Sequence, residues 1–421
     1  MRILLVTSMV PDRNGIGAIP KLLHAQLVGL GERNELTLVA PFGEETGQAE
    51  AAAALERSGL DAHLVDRRRS RDPLRRWSVR AELAGAWVRR PWPWRVVLGS
   101  GGMQETIDRV AATRRFDVVA VEDNPMSVLR YPSGVPAVLT EHEAVRAPAA
   151  EWRAARLSER PLRSLREHDW RRWDAFLPAA WRRFGLLQVF GEGDAAEVAR
   201  RAPDIADRVR VNPYGIELPA ASDPAREHPG TILFAGTFAH LPNRDAARWL
   251  AREIMPAVRS EQPAALLRIA GKSPPREVLE LAGPGVEVLA DPADMESHLD
   301  EAAVVVAPVR SGGGMRFKVL EALARGKALV TTGLGTEGFT GFGVEPPLLV
   351  AEDTGGFAAA IAALLAEPQR RLEIAGRARE FARRHHSPQA WARRLEAVYE
   401  EVQSGAQGSA SGAACRHNPA R

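Results

Sequence analysis

With 421 residues the chain is too long for one ordinary core and long enough for two domains of about 150–200 residues each. Hydrophobic residues make up 45% and charged ones 26%, which excludes a disordered chain, and the single cysteine, Cys415, excludes an intrachain disulfide and a cysteine metal cluster. The net charge of +3 is modest, but the cations are lopsided: of 56 Lys plus Arg, only Lys21, Lys272, Lys318 and Lys327 are lysines.

The first predicted strand, 3–6, lies in the apolar opening Met1-Arg-Ile-Leu-Leu-Val-Thr7. That run is too short for a signal peptide, and Pro11-Asp-Arg-Asn-Gly15 follows where a cleavage site would stand. Further buried strands are predicted at 36–39, 62–65, 118–121, 137–139 and 187–190. Helical patterns separate them, such as 19–30 with Leu22, Leu23, Leu27 and Leu30 on one stripe. A last strand over 209–217 leaves through a turn. This alternation predicts an α/β domain with a parallel, doubly wound sheet over 1–218. A linker follows at 219–230.

A second series begins at 231, with strands at 231–235, 266–270, 286–289, 303–307, 328–332 and 348–351. Helices are predicted at 243–258, 275–282, 294–300, 315–325 and 354–366. The second Rossmann-like domain thus covers 231–370, terminal helices follow at 371–403, and the Gly/Ala/Ser-rich 404–421 reads as a flexible, disordered tail. Two such domains in tandem predict a crevice at the carboxyl ends of the sheets. No apolar run approaches the roughly 18 residues of a membrane span, so a cytoplasmic protein is expected, or one peripheral to the membrane's inner face.

The most informative stretch runs from Val306 to Lys327. A buried strand ends at Pro308, the glycines Gly312, Gly313 and Gly314 follow, and a helix begins near Met315. Glycines there let backbone N–H groups approach an anion, and the helix N-terminus adds partial positive charge. Arg316 and Lys318 stand in the first turn, where cations oppose the helix dipole unless an anion lies between. The plainer alternative is a surface Lys318–Glu321 pair worth about 0.2–0.5 kcal/mol.

The stretch resembles the nucleotide-sugar motif of the family 4 glycosyltransferases, in the subgroup with the pattern Gly-Gly-x-x-Arg-x-Lys-x-x-Glu-Ala-x-Ala-x-Gly. The run ending at Gly326 matches it throughout. Phe234-Ala-Gly-Thr-Phe-Ala-His-Leu-Pro-Asn243, Arg268-Ile-Ala-Gly271 and Gly335-Thr-Glu-Gly338 agree with the same family. The resemblance implies a GT-B fold and a retaining, metal-independent transfer of a sugar from a nucleoside diphosphate donor to a hydroxyl-bearing acceptor, with no cofactor. The acceptor class would be a polysaccharide, a lipid-linked sugar or a small-molecule glycoconjugate. Lys318, helped by Arg316, would hold the diphosphate, Glu321 the ribose hydroxyls, and Gly236 and Gly312–Gly314 would line the donor site. Two positions depart from the wider family. Gly313 stands where many members carry a second Glu, and the Arg and Lys that others place within 236–243 are missing.

In the first domain, Gly15 and Gly17 follow the first strand, as a simple turn or as the family's approach to the donor phosphates. Leu139-Thr-Glu-His-Glu143 ends a buried strand, and its His142 resembles the family's histidine near the sugar and acceptor. His142, or Glu141, is a candidate to accept a proton from the acceptor hydroxyl; the alternative is a helix cap. Glu122 and Asp123, after the strand 118–121, form a second acidic edge that could meet the acceptor. The first domain also gathers ten arginines within 67–95 and eight of the ten tryptophans between Trp77 and Trp181. That mixture suits either ordinary packing with snorkelling arginines, or an anionic membrane or lipid-linked acceptor. Nucleic acid is not expected. Two other classes stay open: a catalytically silent GT-B scaffold that binds a lipid or protein, and a sugar-nucleotide epimerase.

Overall fold

The computed structural model describes residues 1–15, 17–44, 47–68, 73–145 and 163–414, with the side chains of 73–77, 80, 163 and 406–414 left aside. It divides into two compact units, Met1–Asn212 with Pro388–Arg421 and Pro213–Ser387.

Unit one contains strands β1 (Arg2–Val6), β2 (Glu35–Phe42), β3 (Asp61–Asp66), β4 (Val118–Glu122), β5 (Ala137–Thr140), β6 (Leu186–Val189) and β7 (Val209–Val211). All are parallel, in the order β3-β2-β1-β4-β5-β6-β7. Ile3 to Val6 and Val118 to Val121 are buried on both faces, which is why these strands read as unbroken apolar runs. The helices are α1 (Ala18–Gly31), α2 (Gln48–Arg57), α3 (Pro73–Arg89), α4 (Trp94–Ser100), α5 (Met103–Thr113), α6 (Arg163–Trp181) and α7 (Glu192–Arg201). Leu22, Leu23, Leu27 and Leu30 form the buried stripe of α1.

The tryptophans divide by place. Trp173 and Trp181 belong to the core, and Trp92 and Trp170 pack at its edge. Trp87 donates its indole N–H to Asp169 at 2.6 Å, and Trp94 is exposed. Trp152 and the arginines at 69 and 71 lie outside the described residues.

Unit two has strands β8 (His228–Thr237), β9 (Leu266–Lys272), β10 (Val286–Ala290), β11 (Ala302–Ala307), β12 (Leu329–Thr331) and β13 (Leu349–Val350). They are parallel in the order β10-β9-β8-β11-β12-β13. Its helices are α8 (Leu241–Trp249), continued through a π-turn into α9 (Met255–Glu261), then α10 (Arg276–Leu279), α11 (Met295–Glu301), α12 (Phe317–Arg325), α13 (Thr354–Ala366) and α14 (Pro368–His386). In each sheet the strand order reverses direction once, between β1 and β4 and between β8 and β11. Loops leaving the carboxyl ends of those strands diverge, and the gap is the usual ligand position of a doubly wound sheet.

The terminal helices are shared between the units. Pro388 interrupts them: α14 stays with unit two, and α15 (Pro388–Ala414) packs on α1 in unit one. The Gly/Ala/Ser-rich stretch begins inside α15, and 415–421, Cys415 included, lie outside the described residues. A Cβ on Gly29 would stand 2.3 Å from the carbonyl oxygen of Pro388, so only glycine lets the two helices approach this closely. Gly29→Ala is expected to lower stability by about 1–3 kcal/mol through that overpacking, measured by urea unfolding.

The stretch 219–230 is tied to unit two rather than free. Ser222 donates to Asp300 at 2.7 Å, Arg226 pairs with Asp300 at 2.8 Å, and β8 already begins at His228. Its polar residues look like linker chemistry in sequence because their partners lie far along the chain. Among the described residues no helix is long and apolar enough to cross a membrane.

Candidate functional site

In unit two the switch point brings together the end of β8, the start of α8, the glycine loop after β11 and the first turn of α12. Lys318 lies in that first turn; the helix begins at Phe317, two residues later than the glycine pattern predicts. Its ammonium donates to Asn243 Oδ1 at 2.6 Å and lies 4.4 Å from the centre of the Phe234 ring. A Cβ on Gly236 would come within 3.1 Å of Asn243 and 3.2 Å of Lys318 Nζ, so the glycine makes room for both. Among the described residues no carboxylate pairs with Lys318. Burial, with the charge of Arg316 added, pushes its pKa down to about 7.

Gly312 and Gly314 have φ of +96° and +76°, the left-handed region that glycine enters without strain. This turn directs three carbonyl oxygens onto the Arg316 guanidinium, which donates to Gly312 at 2.9 Å and to Gly313 and Gly314. Arg316 therefore organises the loop, where sequence reading had it only as a helper to Lys318. Arg310 pins the loop's other end, pairing with Asp245 of α8 at 2.8 Å. Glu321 is half-buried one turn beyond Lys318, while Val319, Ala322 and Leu323 are fully buried on the packing face. Gly326, at φ +70°, ends the helix.

In unit one the corresponding edge holds the His142 cluster. His142 Nε2 lies 3.0 Å from Glu122 Oε2, and the ring meets Phe190 edge-on at 5.1 Å. The other Glu122 oxygen accepts from Gln26 at 2.8 Å and Thr140 at 3.0 Å. Glu122 is 1% exposed, so it orients the imidazole and does not itself face an acceptor. Asp123, at φ +75°, accepts from Ser8 at 3.0 Å, Arg95 at 2.8 Å and the Asn124 amide at 2.8 Å. It too points inward.

Glu141, the alternative proton acceptor, is fully buried with both oxygens occupied. One takes hydrogen bonds from Asn124 at 2.7 Å and the Glu143 amide at 2.8 Å, the other from Trp181 at 2.7 Å. That leaves His142 as the group of this cluster with a ring nitrogen, Nδ1, not engaged by Glu122.

Burial alone would lower the pKa of His142, but the Glu122 hydrogen bond and the charges of Glu122, Asp123 and Glu141 outweigh it and raise the value above 6.5. The protonated ring therefore stabilises the fold fully below about 6.5, and that contribution is lost as pH rises through the raised value. Burial raises Asp123 too, yet Arg95, His142 and its hydrogen bonds hold it below the ordinary carboxylate range. Glu141 is raised, because burial exceeds what the Glu143 and Trp181 hydrogen bonds return.

Gly15 and Gly17 prove to be different. A Cβ on Gly15 would sit 2.4 Å from Pro20 Cβ, a packing requirement, whereas Gly17 has φ +90° and open space beside it. Arg95, Ser8, Gln26 and Asn243 were not singled out by the sequence. Each acquires its role through a contact spanning at least 28 residues.

Residues 229–367, about a third of the chain, match the family described as Glycosyl transferases group 1. That segment is similar to the group 1 glycosyl transferases. A protein from the cps region of Klebsiella pneumoniae, described as uncharacterized and of 44.6 kDa, is 29% identical over 140 residues, 31% of this chain and 36% of that one. The chain thus matches little more than a third of that relative's length. Likeness to solved structures extends beyond that segment. S. aureus TarM, solved with UDP, fondaparinux and alpha-GlcNAc-glycerol, gives a TM-score of 0.64 at 8% identity, over 95% of this chain and 100% of that one. Sucrose-phosphate synthase from Thermosynechococcus elongatus gives 0.60 at 14%, over 96% and 100%. Anabaena HepE, solved with UDP, gives 0.57 at 12%, over 95% and 100%. The chain has the two-domain GT-B fold of these proteins.

Proposed function

We propose that this protein transfers a glycosyl group from a nucleoside diphosphate sugar to a hydroxyl of an acceptor. The observation that carries the reading is Lys318: a half-buried ammonium at the switch point of the transferase domain, partnered by an amide and an aromatic ring and by no described carboxylate. Holding such a charge in a poorly solvated place is unfavourable unless an anion completes it. A donor diphosphate does so, and Lys318 then stabilises the negative charge that grows on it as the sugar–phosphate bond breaks.

Glu321 accepts from the ribose hydroxyls, and backbone groups of Gly312–Gly314 take the place of the acidic side chain that Gly313 lacks. The acceptor, a polysaccharide, lipid-linked or small-molecule glycoconjugate, is bound by unit one, where His142, oriented by Glu122, faces its hydroxyl. The bond from the anomeric carbon passes from phosphate oxygen to acceptor oxygen, and the hydroxyl proton leaves to His142 or to the departing diphosphate. Retention of configuration, independence of metal and a cytoplasmic location belong to the same reading, on the strength of the motif at 312–326. The UDP in the TarM and HepE structures supports the donor class.

The test is release of nucleoside diphosphate from a panel of donor sugars in the presence of glycan, lipid-linked and small-molecule acceptors. Transfer is expected, unchanged by EDTA. An isomerised donor formed without acceptor would make the protein an epimerase, and no turnover of any donor would make it a silent scaffold.

Donor binding should also depend on pH. Lys318 starts at about 7, and a bound diphosphate raises that value, so binding takes up a proton. Affinity is expected to fall above about pH 7, by up to about tenfold per unit. Calorimetry in two buffers of different ionisation heat measures the uptake; equal heats and a flat profile would contradict it.

A further inference from the structure

Unit one contains a cavity of about 610 Å³ that shares no residue with the His142 cluster. It opens among α3, α4, α5 and the turn that follows β4. Leu83, Val97 and Leu129 contribute apolar wall, and Arg89, Arg90 and Arg130 contribute three guanidinium groups. Their charge is poorly matched within the protein. Arg90 lies over the Trp92 ring at 4.3 Å, and Arg130 reaches Asp108 only at 4.0 Å. Neither Arg89 nor Arg90 meets a carboxylate among the described residues, and Glu82 is the single acidic residue of the lining. Gln104 is already occupied, bonded to Asp108 at 2.8 Å and to the Arg130 backbone at 2.8 and 3.0 Å. The same helices expose Val79, Val88, Trp94 and Leu98, with Val88 71% accessible.

An apolar wall and a set of weakly matched cations complement a molecule that is apolar along one part and anionic at another. A neutral hydrocarbon would leave the guanidinium groups unmet, and a small soluble anion would gain nothing from the wall. The volume lies in the range of ligand-sized sites. We propose that this cavity binds a single-chain amphiphile bearing a phosphate headgroup, its chain against Leu83, Val97 and Leu129 and its phosphate on Arg89, Arg90 and Arg130. Planar guanidinium groups suit phosphate oxygens, which accept paired hydrogen bonds from them. The inference stands independently of the transferase reading.

Calorimetry of the full chain with dodecyl phosphate below its micelle concentration tests it, with inorganic phosphate and dodecyl maltoside as comparison probes. Dodecyl phosphate is expected to bind saturably and more tightly than either. The Arg90→Glu/Arg130→Glu variant is expected to lose about tenfold or more of that affinity. Should that variant not fold, Arg90→Ala/Arg130→Ala replaces it with the same expected direction. Lys318→Ala should bind dodecyl phosphate as the unaltered protein does, so failure of the donor site and failure of this site are told apart. Undiminished binding in the arginine variants, equal binding of inorganic phosphate, equal binding of dodecyl maltoside, or no binding of dodecyl phosphate would each overturn the proposal.

Discussion

Lys318→Ala is expected to reduce sugar transfer by about 10²–10³-fold, the usual effect of removing one well-placed donor to a developing negative charge. The same substitution should leave stability unchanged or slightly raised. In the free protein Lys318 has no described carboxylate partner, and burial depresses its pKa, so its charge works against folding. Activity lost without stability lost separates a ligand-directed charge from a structural one. Lys318→Arg is expected to rescue little. The ammonium occupies a narrow place between Asn243 and the Phe234 ring, above a glycine chosen for closeness, and a planar guanidinium is larger and differently shaped. Transfer within about threefold of the unaltered rate in Lys318→Ala would remove the residue from the site.

Lys327→Ala should have the opposite signature, a large loss of stability. Lys327 is fully buried, and its ammonium pairs with Glu227 at 2.9 Å and donates to the Asp300 carbonyl at 3.2 Å. Arg371 reaches the other Glu227 oxygen at 3.4 Å. Removing the lysine leaves Glu227, only 14% exposed, with one distant partner, and breaking such a pair at its buried end costs about 3–5 kcal/mol. For a unit of this size that lowers the melting temperature by of the order of 10 °C. Lys327→Met combined with Glu227→Gln removes both charges and is expected to recover most of the loss. Calorimetric melting of the two variants measures the difference, and a single variant within about 1 kcal/mol of the unaltered protein would contradict the pairing.

These two lysines show what the sequence could and could not reveal. Each of the thirteen strands among the described residues overlaps a predicted apolar run, though the last strand of unit one ends at Val211 and not at 217. Strands such as β4 and β11, buried throughout, carry no alternation to confuse the pattern. The Thr354–Ala366 helix was predicted to the residue. The place of Lys318 in the first turn of a helix after three glycines was legible from its neighbours. Lys327, nine residues on and just past Gly326, gave no sign of its burial, because its partner Glu227 is 100 residues away in a stretch with linker composition. The His142 cluster behaves alike. Its acidic residues were found as a sequence edge, but that Glu122 serves His142 and Glu141 serves Trp181 depends on which strand ends the sheet sets side by side.

The most direct test is thermal stabilisation by a panel of nucleoside diphosphate sugars, run on the unaltered protein and on Lys318→Ala. A donor at 100 times its dissociation constant adds about 2.7 kcal/mol, well within measurement. At least one donor should raise the melting temperature of the unaltered protein and lose most of that effect in the variant. No shift with any donor, or the same shift in both proteins, would contradict the assignment of Lys318 to the donor diphosphate.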